Sequence, residues 1–409
     1  MAKGDVPDAD SSHTRLLSGA GADFRSRGLS RRRFLRAAAF STAALVTGID
    51  HLLSLAPLDA FSGGKLIGLV PFEDEKISPP VALIGAELDG RLFTDLSRLS
   101  SARLITPNSE FFIRSAASRL LPDASQWKIG IEGLVERPAA LEVQNLTKAA
   151  RPMGAHLMEC AGNVALTRFG LISAAQWSGI PISDVLADAK PKADSAWVEV
   201  SGFDDYSQPS RTSVPGASWI FPSEQLKHAF LATAMNGQPL SRDHGAPVRL
   251  VVPGWYGCAC IKWVNRIAFV EEGAEATSQM QEYAVRTLQP GRPRMARDYD
   301  PATVDPAALP VRIEKWILAG KIHYRIVGIA WGTSQPIKTL QIRANPLEQF
   351  KPISSFHQKG TDPWTLWTHP WSPLALGAYQ FRLAIAEPPL RARKLELGLY
   401  DRTVQITEI

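Results

Sequence analysis

The chain has 409 residues, 45% of them hydrophobic and 21% charged, which is an ordinary globular composition with enough length for two or three domains. Its three cysteines, Cys160, Cys258 and Cys260, exclude a disulfide framework, and no CxxCH, Walker loop or zinc-spaced Cys/His set is present. The formal charge is +5, but residues 1–36 hold eight Lys/Arg against four acids, a local +4, so the basic balance does not indicate nucleic-acid binding.

That basic cluster is itself a motif. Ser30-Arg31-Arg32-Arg33-Phe34-Leu35-Arg36 precedes the apolar run Ala37 to Ile49, which fits a twin-arginine export signal. The run has about 13 residues, short for a bilayer span. Residues 1–60 are therefore read as signal and linker, exported through the twin-arginine translocase to the periplasm. Retention of the segment as an N-terminal membrane anchor stays open. This route carries folded proteins, which favours a chain that loads a complex cofactor before export.

Residues 61–105 read as loop and short helix, with a helix or extended arm from Gly85 to Ser97. Thr106 to Ser115 starts with a Pro-Asn turn and continues as a β-rich run ending near Arg114. Trp127 to Leu141 alternates like a pair of strands, and Gln144 to Ala150 reads as a short helix. Next comes His156-Leu157-Met158-Glu159-Cys160-Ala161-Gly162-Asn163. A lone cysteine in a small-residue turn after a strand suits a soft metal ligand, a nucleophile or a buried small hydrophobe. Gln176 to Leu186 predicts a loop entering a helix with Ser183 as N-cap, and Trp197 to Gly202 a strand.

Asn236-Gly237 is a hairpin signal. His244, Arg249 and Lys262 then stand within 19 residues around tight turns. Such a set suits an anionic, phosphate-bearing ligand, or else a hairpin with solvated charges. Gly254 and Gly257 are read as places where backbone comes close to a ligand. Past the Pro/Gly-rich linker at 289–293, strand-like runs recur over 312–319, 323–331, 339–344, 364–368 and 378–385. That spacing predicts an all-β sandwich of immunoglobulin type.

Taken in order, these stretches resemble the sulfite oxidase family of molybdenum-cofactor oxidoreductases. The carrying residues are Thr106-Pro107-Asn108 with Phe111-Phe112-Ile113-Arg114, Glu159-Cys160-Ala161-Gly162-Asn163, Met235-Asn236-Gly237-Gln238-Pro239-Leu240, Arg242-Asp243-His244-Gly245 and Ile261-Lys262-Trp263. The resemblance implies an α+β chain: a mixed α/β molybdopterin-binding catalytic domain over 61–289, then an immunoglobulin-like, dimerisation-type domain over 290–409. It implies a molybdenum–molybdopterin cofactor (a pyranopterin dithiolene) with Cys160 as the protein thiolate on the metal. Phe112, Ile113, Arg114, Ser115 and Ala116 match the segment that wraps the cofactor. Asp204, one position from Asp205, matches a pterin-binding acid. His244, Arg249, Cys260, Ile261 and Lys262 match phosphate and pterin contacts. Tyr283 matches a tyrosine near the reacting oxygen, and Trp177 a substrate-pocket tryptophan.

Two positions depart from the family pattern. Ala165 stands where sulfite oxidases carry an arginine, with Arg168 three residues on as a substitute, and Ser115-Ala116 replaces an Asn-His pair. The implied activity is oxygen-atom transfer, oxidising sulfite or a related small oxyanion, with electrons leaving to a c-type cytochrome or a membrane redox partner. A periplasmic reductase of sulfoxides or N-oxides on the same fold is the alternative within the class. An exported, cofactor-free binding protein is the alternative outside it. A homodimer is expected through the C-terminal sandwich.

Overall fold

The computed structural model describes residues 61–77, 91–115, 121–193, 195–202, 217–332, 335–353, 355–358 and 362–409, and structural statements concern those residues. The twin-arginine segment, Ala116, Asp204 and Asp205 lie outside them.

Strands dominate, with only short helices between them among the described residues. One five-stranded sheet carries the cysteine. Its strand Arg151–Glu159 pairs with Ile172–Pro181, which pairs with Phe230–Met235, and that strand also carries Gln238–Pro239 and Arg249–Val251. Phe230–Met235 (FLATAM) is buried along nearly its whole length, so it reads as a continuous apolar run rather than an alternating one. Asn236 and Gly237 both have positive φ, 51° and 74°, as the expected hairpin turn requires.

A second five-stranded sheet runs Ala139–Glu142, Lys128–Gly133, Val264–Val270, Trp197–Gly202, Ser218–Pro222. Here Trp197–Gly202 alternates between buried and half-buried positions, as its sequence pattern demands. Lys128–Gly133 and Val264–Val270 pair in parallel, bringing together segments far apart in the chain.

The C-terminal half contributes two four-stranded antiparallel sheets. One orders Lys65–Val70, Ala307–Leu318, Lys321–Trp331, Trp364–Trp371, and the other Lys351–Pro352, Thr339–Arg343, Gly377–Glu387, Arg402–Ile406. Ala307–Leu318 packs against Gly377–Glu387. Its Pro310 sits at a register shift, where a residue without an N–H costs no ladder bond. Arg312 and Arg325 flank the fully buried Glu314 at 2.9 and 2.6 Å inside the first of these sheets.

Several local expectations give way to tertiary pairing. Residues 176–181, expected as loop, continue the strand Ile172–Pro181, because pairing on both edges outweighs the local Ser-Gly-Pro signals. The helix that follows, Ile182–Ala187, has Pro181 at its N-cap, so Ser183 lies inside it. The run 106–115 is mostly turn. Only Ile113–Arg114 is extended, pairing with Arg91–Leu92. Lys65–Val70, expected as loop, is an edge strand of a C-terminal sheet.

Candidate active site

Cys160 ends the strand Arg151–Glu159 and is buried. Its own N–H donates to Leu171 O at 2.9 Å, and its carbonyl accepts from Asn163 N at 2.9 Å. The preceding Glu159 is fully buried. Its carboxylate accepts from Asn163 Nδ2 (3.2 Å), Trp331 Nε1 (2.9 Å) and Tyr400 Oη (2.7 Å). Three donors for one buried carboxylate satisfy it without a cation. The backbone leading into the cysteine is therefore anchored to two residues of the C-terminal sheets' region. Burial, and then Glu159, pushes the Tyr400 hydroxyl well above its usual range, so it acts as a fixed donor.

Arg114 faces the sulfur. Its Nη1 lies 3.5 Å from Cys160 Sγ and donates to Tyr283 Oη at 3.2 Å. Burial alone would lower the Arg114 pKa; the Cys160 sulfur and Tyr283 more than offset that and hold it above the ordinary guanidinium value. Burial pushes Tyr283 up to about 12, with Arg114 pulling partly the other way. The pair is a lasting cation beside a phenol that stays protonated at neutral pH.

Behind Arg114 lies a second cluster. Lys262 Nζ donates to Ser115 Oγ (2.7 Å), Asp243 O (2.5 Å) and Arg114 O (3.4 Å). Burial, then Arg249, brings Lys262 down to about 7. Buried Arg249 donates to His244 O and Cys260 O, both at 3.1 Å, while its Nε is buried with no hydrogen-bond partner among the described residues. Burial lowers it to about 10. His244 Nε2 meets the carbonyl of Phe111 at 3.2 Å, an acceptor only, so that nitrogen carries the hydrogen, and Nδ1 accepts from Ser241 Oγ at 2.8 Å. Burial, then Lys262, lowers His244 to about 4, so it is neutral. Gly245, at φ +103°, lets this loop lie on Arg249 and Lys262: a Cβ there would stand 3.1 Å from the Cβ of each. Gly254 also has positive φ, +79°, but nothing stands within 4 Å of its missing Cβ, so it serves its turn rather than a close approach.

The expected residues thus assemble in part. Cys160, Arg114 and Tyr283 meet, and Ser115, His244, Arg249, Cys260, Ile261 and Lys262 gather behind them, with Ile113 buried in the short strand beside Arg114. Phe112 is buried, its N–H held by Ser173 Oγ. Trp177 is a core residue beneath Arg249 (5.6 Å, ring centroid to Cζ), donating to His156 O. Arg168 turns away: in the left-handed region at φ 50°, it donates from Nη2 to Glu75 O at 2.6 Å. Buried Cys258 and Cys260 have thiols raised chiefly by burial, which keeps both protonated.

A cavity of about 500 Å³ opens beside Arg114 and Gly162. Its lining carries four cations, Arg91, Arg114, Arg286 and Lys394, and no carboxylate among the described residues. Arg286 stacks over the Tyr283 ring at 5.2 Å, and buried Lys394 lies over Tyr256 at 4.2 Å, 3.5 Å from Ala161 O. Sequence reasoning missed Arg91, Arg286 and Lys394. Arg286 stands three residues after Tyr283 and was findable by helical spacing. Lys394 had no local signal.

The donor set suits the molybdenum–molybdopterin group. A polarisable sulfur stands at the end of a strand, and a buried cluster of cations with an orphaned Arg249 Nε, in which Lys262 donates to uncharged oxygens, suits an anion. The comparisons agree. Residues 117–278 match the oxidoreductase molybdopterin-binding domain. Mitochondrial sulfite oxidase of Rattus norvegicus is 33% identical over 198 residues, 44% of this chain and 35% of that protein. The Homo sapiens sulfite oxidase is 31% identical over 234 residues, 52% and 42% of the two chains. An NADPH nitrate reductase of Fusarium oxysporum is 31% identical over 166 residues, 37% of this chain and 18% of that one. The match thus spans well under half the length of each of these relatives. The crystal structure of the sulfane dehydrogenase SoxCD from Paracoccus pantotrophus superposes with a TM-score of 0.59 at 20% identity, covering 87% of this chain and 95% of that one, which shows a shared fold.

Fold and site define a molybdopterin-dependent oxidoreductase. Within that class, residues 117–278 carry the molybdopterin-binding domain, and about half of the chain is similar to the mitochondrial sulfite oxidases.

Proposed function

We propose that this chain catalyses oxygen-atom transfer, oxidising sulfite or a related small sulfur oxyanion and passing the electrons to a separate acceptor such as a c-type cytochrome or a membrane redox partner. The observation that carries the reading is Arg114, held between Cys160 Sγ and Tyr283 Oη at the edge of a cavity with four cations and no acid among its described lining residues. Molybdenum–pyranopterin dithiolene, when bound, supplies the two-electron redox chemistry.

The chain's own residues divide the remaining work. Cys160 offers the soft sulfur for the metal. Arg249, Lys262 and Ser115 hold the anionic end of the cofactor by charge-assisted hydrogen bonds, with neutral His244 keeping their loop in place. Arg286 and Lys394 draw the substrate anion into the cavity, and Arg114 with Tyr283 orients it and stabilises negative charge on its oxygens. Arg168, turned toward Glu75, leaves no cation in place of the one absent at Ala165, and Arg286 and Lys394 supply the charge instead. We assign the segment 1–60 to twin-arginine export into the periplasm, and the two C-terminal sheets to an immunoglobulin-like domain that dimerises.

The test is electron paramagnetic resonance of protein with quantified molybdenum, before and after anaerobic sulfite. A sulfite-induced signal supports the reading. Full metal loading without response, together with reoxidation of dithionite-reduced protein by a sulfoxide or N-oxide, replaces it with the reductase. Absence of bound molybdenum in active-route material leaves the exported binding protein. Cys160→Ser is expected to lose turnover, and a variant with molybdenum bound and full turnover removes the ligand assignment.

A further inference from the structure

The cavity has two unlike kinds of lining. Arg91, Arg114, Arg286 and Lys394 bring positive charge, whereas Val164, Val285 and Leu399 line it while remaining exposed. Val285 is 68% exposed and Leu399 46%, and the residues flanking them in sequence extend the same character, with Leu166 at 75% and Leu397 at 64%. Single exposed apolar residues are common, but here they come from three separate segments and converge on one charged cavity. The turn Val164–Thr167, the residues after Tyr283 and the segment after the helix Arg393–Glu396 have no sequence reason to share this trait. The cavity, about 500 Å³, falls in the range of about 300–1,000 Å³ that holds organic ligands.

We propose that this site takes organic sulfinates, R–SO2⁻, with the sulfur oxyanion held by the cations and the apolar R group against Val164, Val285 and Leu399. The inference rests on the oxygen-atom-transfer reading above. A sulfinate keeps the two features that reading needs, a sulfur lone pair and anionic oxygens. Its conversion balances: R–SO2⁻ and water give R–SO3⁻, two protons and two electrons. The new bond is S–O, formed with the sulfur lone pair. Two O–H bonds of water break, the protons leave to solvent, and the electrons pass singly to a haem-bearing carrier. Sulfur is oxidised by two electrons and the carrier reduced.

The test pairs turnover with binding, on holoenzyme. Turnover compares kcat/KM for hexanesulfinate and sulfite with a haem-protein acceptor. Sulfinate is expected to lead by at least about tenfold. Binding of the product-like methanesulfonate to hexanesulfonate series to oxidised enzyme is followed by calorimetry, and affinity is expected to rise about threefold per methylene as the chain is buried. Val285→Asp and Leu399→Ser, both at exposed positions, are expected to flatten that series and lower the sulfinate-to-sulfite ratio about tenfold. Turnover of sulfite with no sulfinate turnover and a flat binding series overturns the inference and leaves the broader reading standing. A rising binding series with neither anion oxidised keeps the ligand class but removes the oxygen-transfer reading, and with it the proposed substrate.

Discussion

Arg114 Nη1 stands 3.5 Å from the sulfur of Cys160. The two residues come from different sheets: Arg114 from a two-residue strand paired with Arg91–Leu92, Cys160 from the end of Arg151–Glu159. A guanidinium at this distance serves both the sulfur and any anion presented to it. Arg114→Gln keeps a donor and removes the charge. It is expected to lower kcat by about 100-fold or more, the scale of a lost charge-stabilising donor. Arg114→Lys is expected to recover only part, because a point charge cannot face sulfur and phenol together. Steady-state kinetics with metal content measured in parallel checks this, and unchanged kcat in both variants would show that Arg114 is structural.

Arg286 and Arg168 make a contrast. Arg286 lines the cavity with Glu282 no closer than 3.9 Å, whereas Arg168 bonds Glu75 O. Arg286→Met is expected to raise KM about tenfold and weaken its salt dependence. Arg168→Met is expected to leave KM near its original value while lowering thermal stability. The opposite pattern would place Arg168 at the substrate.

The cluster of Lys262, Arg249 and His244 has a pH signature. Lys262 is brought down to about 7 from 10.5, so between those values the unfolded chain holds a proton that the folded chain has lost. Stability of cofactor-free protein therefore rises with pH through that window relative to Lys262→Met. His244 is lowered to about 4 from 6.5, and its contribution is present above 6.5 and lost as pH falls toward 4. Denaturant titrations at several pH values on wild type and variants read both. Since an anion restores charge to Lys262, cofactor binding is expected to take up a proton near pH 7, measurable as buffer-dependent binding heat. No buffer dependence would contradict the assignment.

Glu159 tests how far the C-terminal region holds the Cys160 turn. Tyr400→Phe removes one of three donors to a buried carboxylate and is expected to cost about 1–3 kcal/mol. Glu159→Leu, which leaves Asn163, Trp331 and Tyr400 unpaired, is expected to cost more. Chemical unfolding measures both. A double variant whose effects simply add would mean that the contact is not coupled.

Much of the site was legible along the chain. The thiol turn was readable because strand, small residues and cysteine are consecutive. His244, Arg249 and Lys262 were readable because tight turns keep them within 19 residues, and they do converge. The Asn236-Gly237 hairpin and the strand Trp197–Gly202 follow from backbone preference and side-chain alternation, which are local properties. Where pairing partners are remote, local signals misled: the strand Ile172–Pro181 runs through what reads as a loop, and Lys65–Val70 completes a sheet with Ala307–Leu318. By itself the sequence determined the molybdopterin-binding class, the cysteine turn and the cationic character of its surroundings, all carried by short-range chemistry. The tertiary structure alone decided that Arg168 bonds Glu75 O, that Lys394 reaches the cavity, and that Glu159 is held by Trp331 and Tyr400, 172 and 241 residues away. Those contacts depend on how sheets stack, and stacking is set by the whole buried surface rather than by any stretch of it.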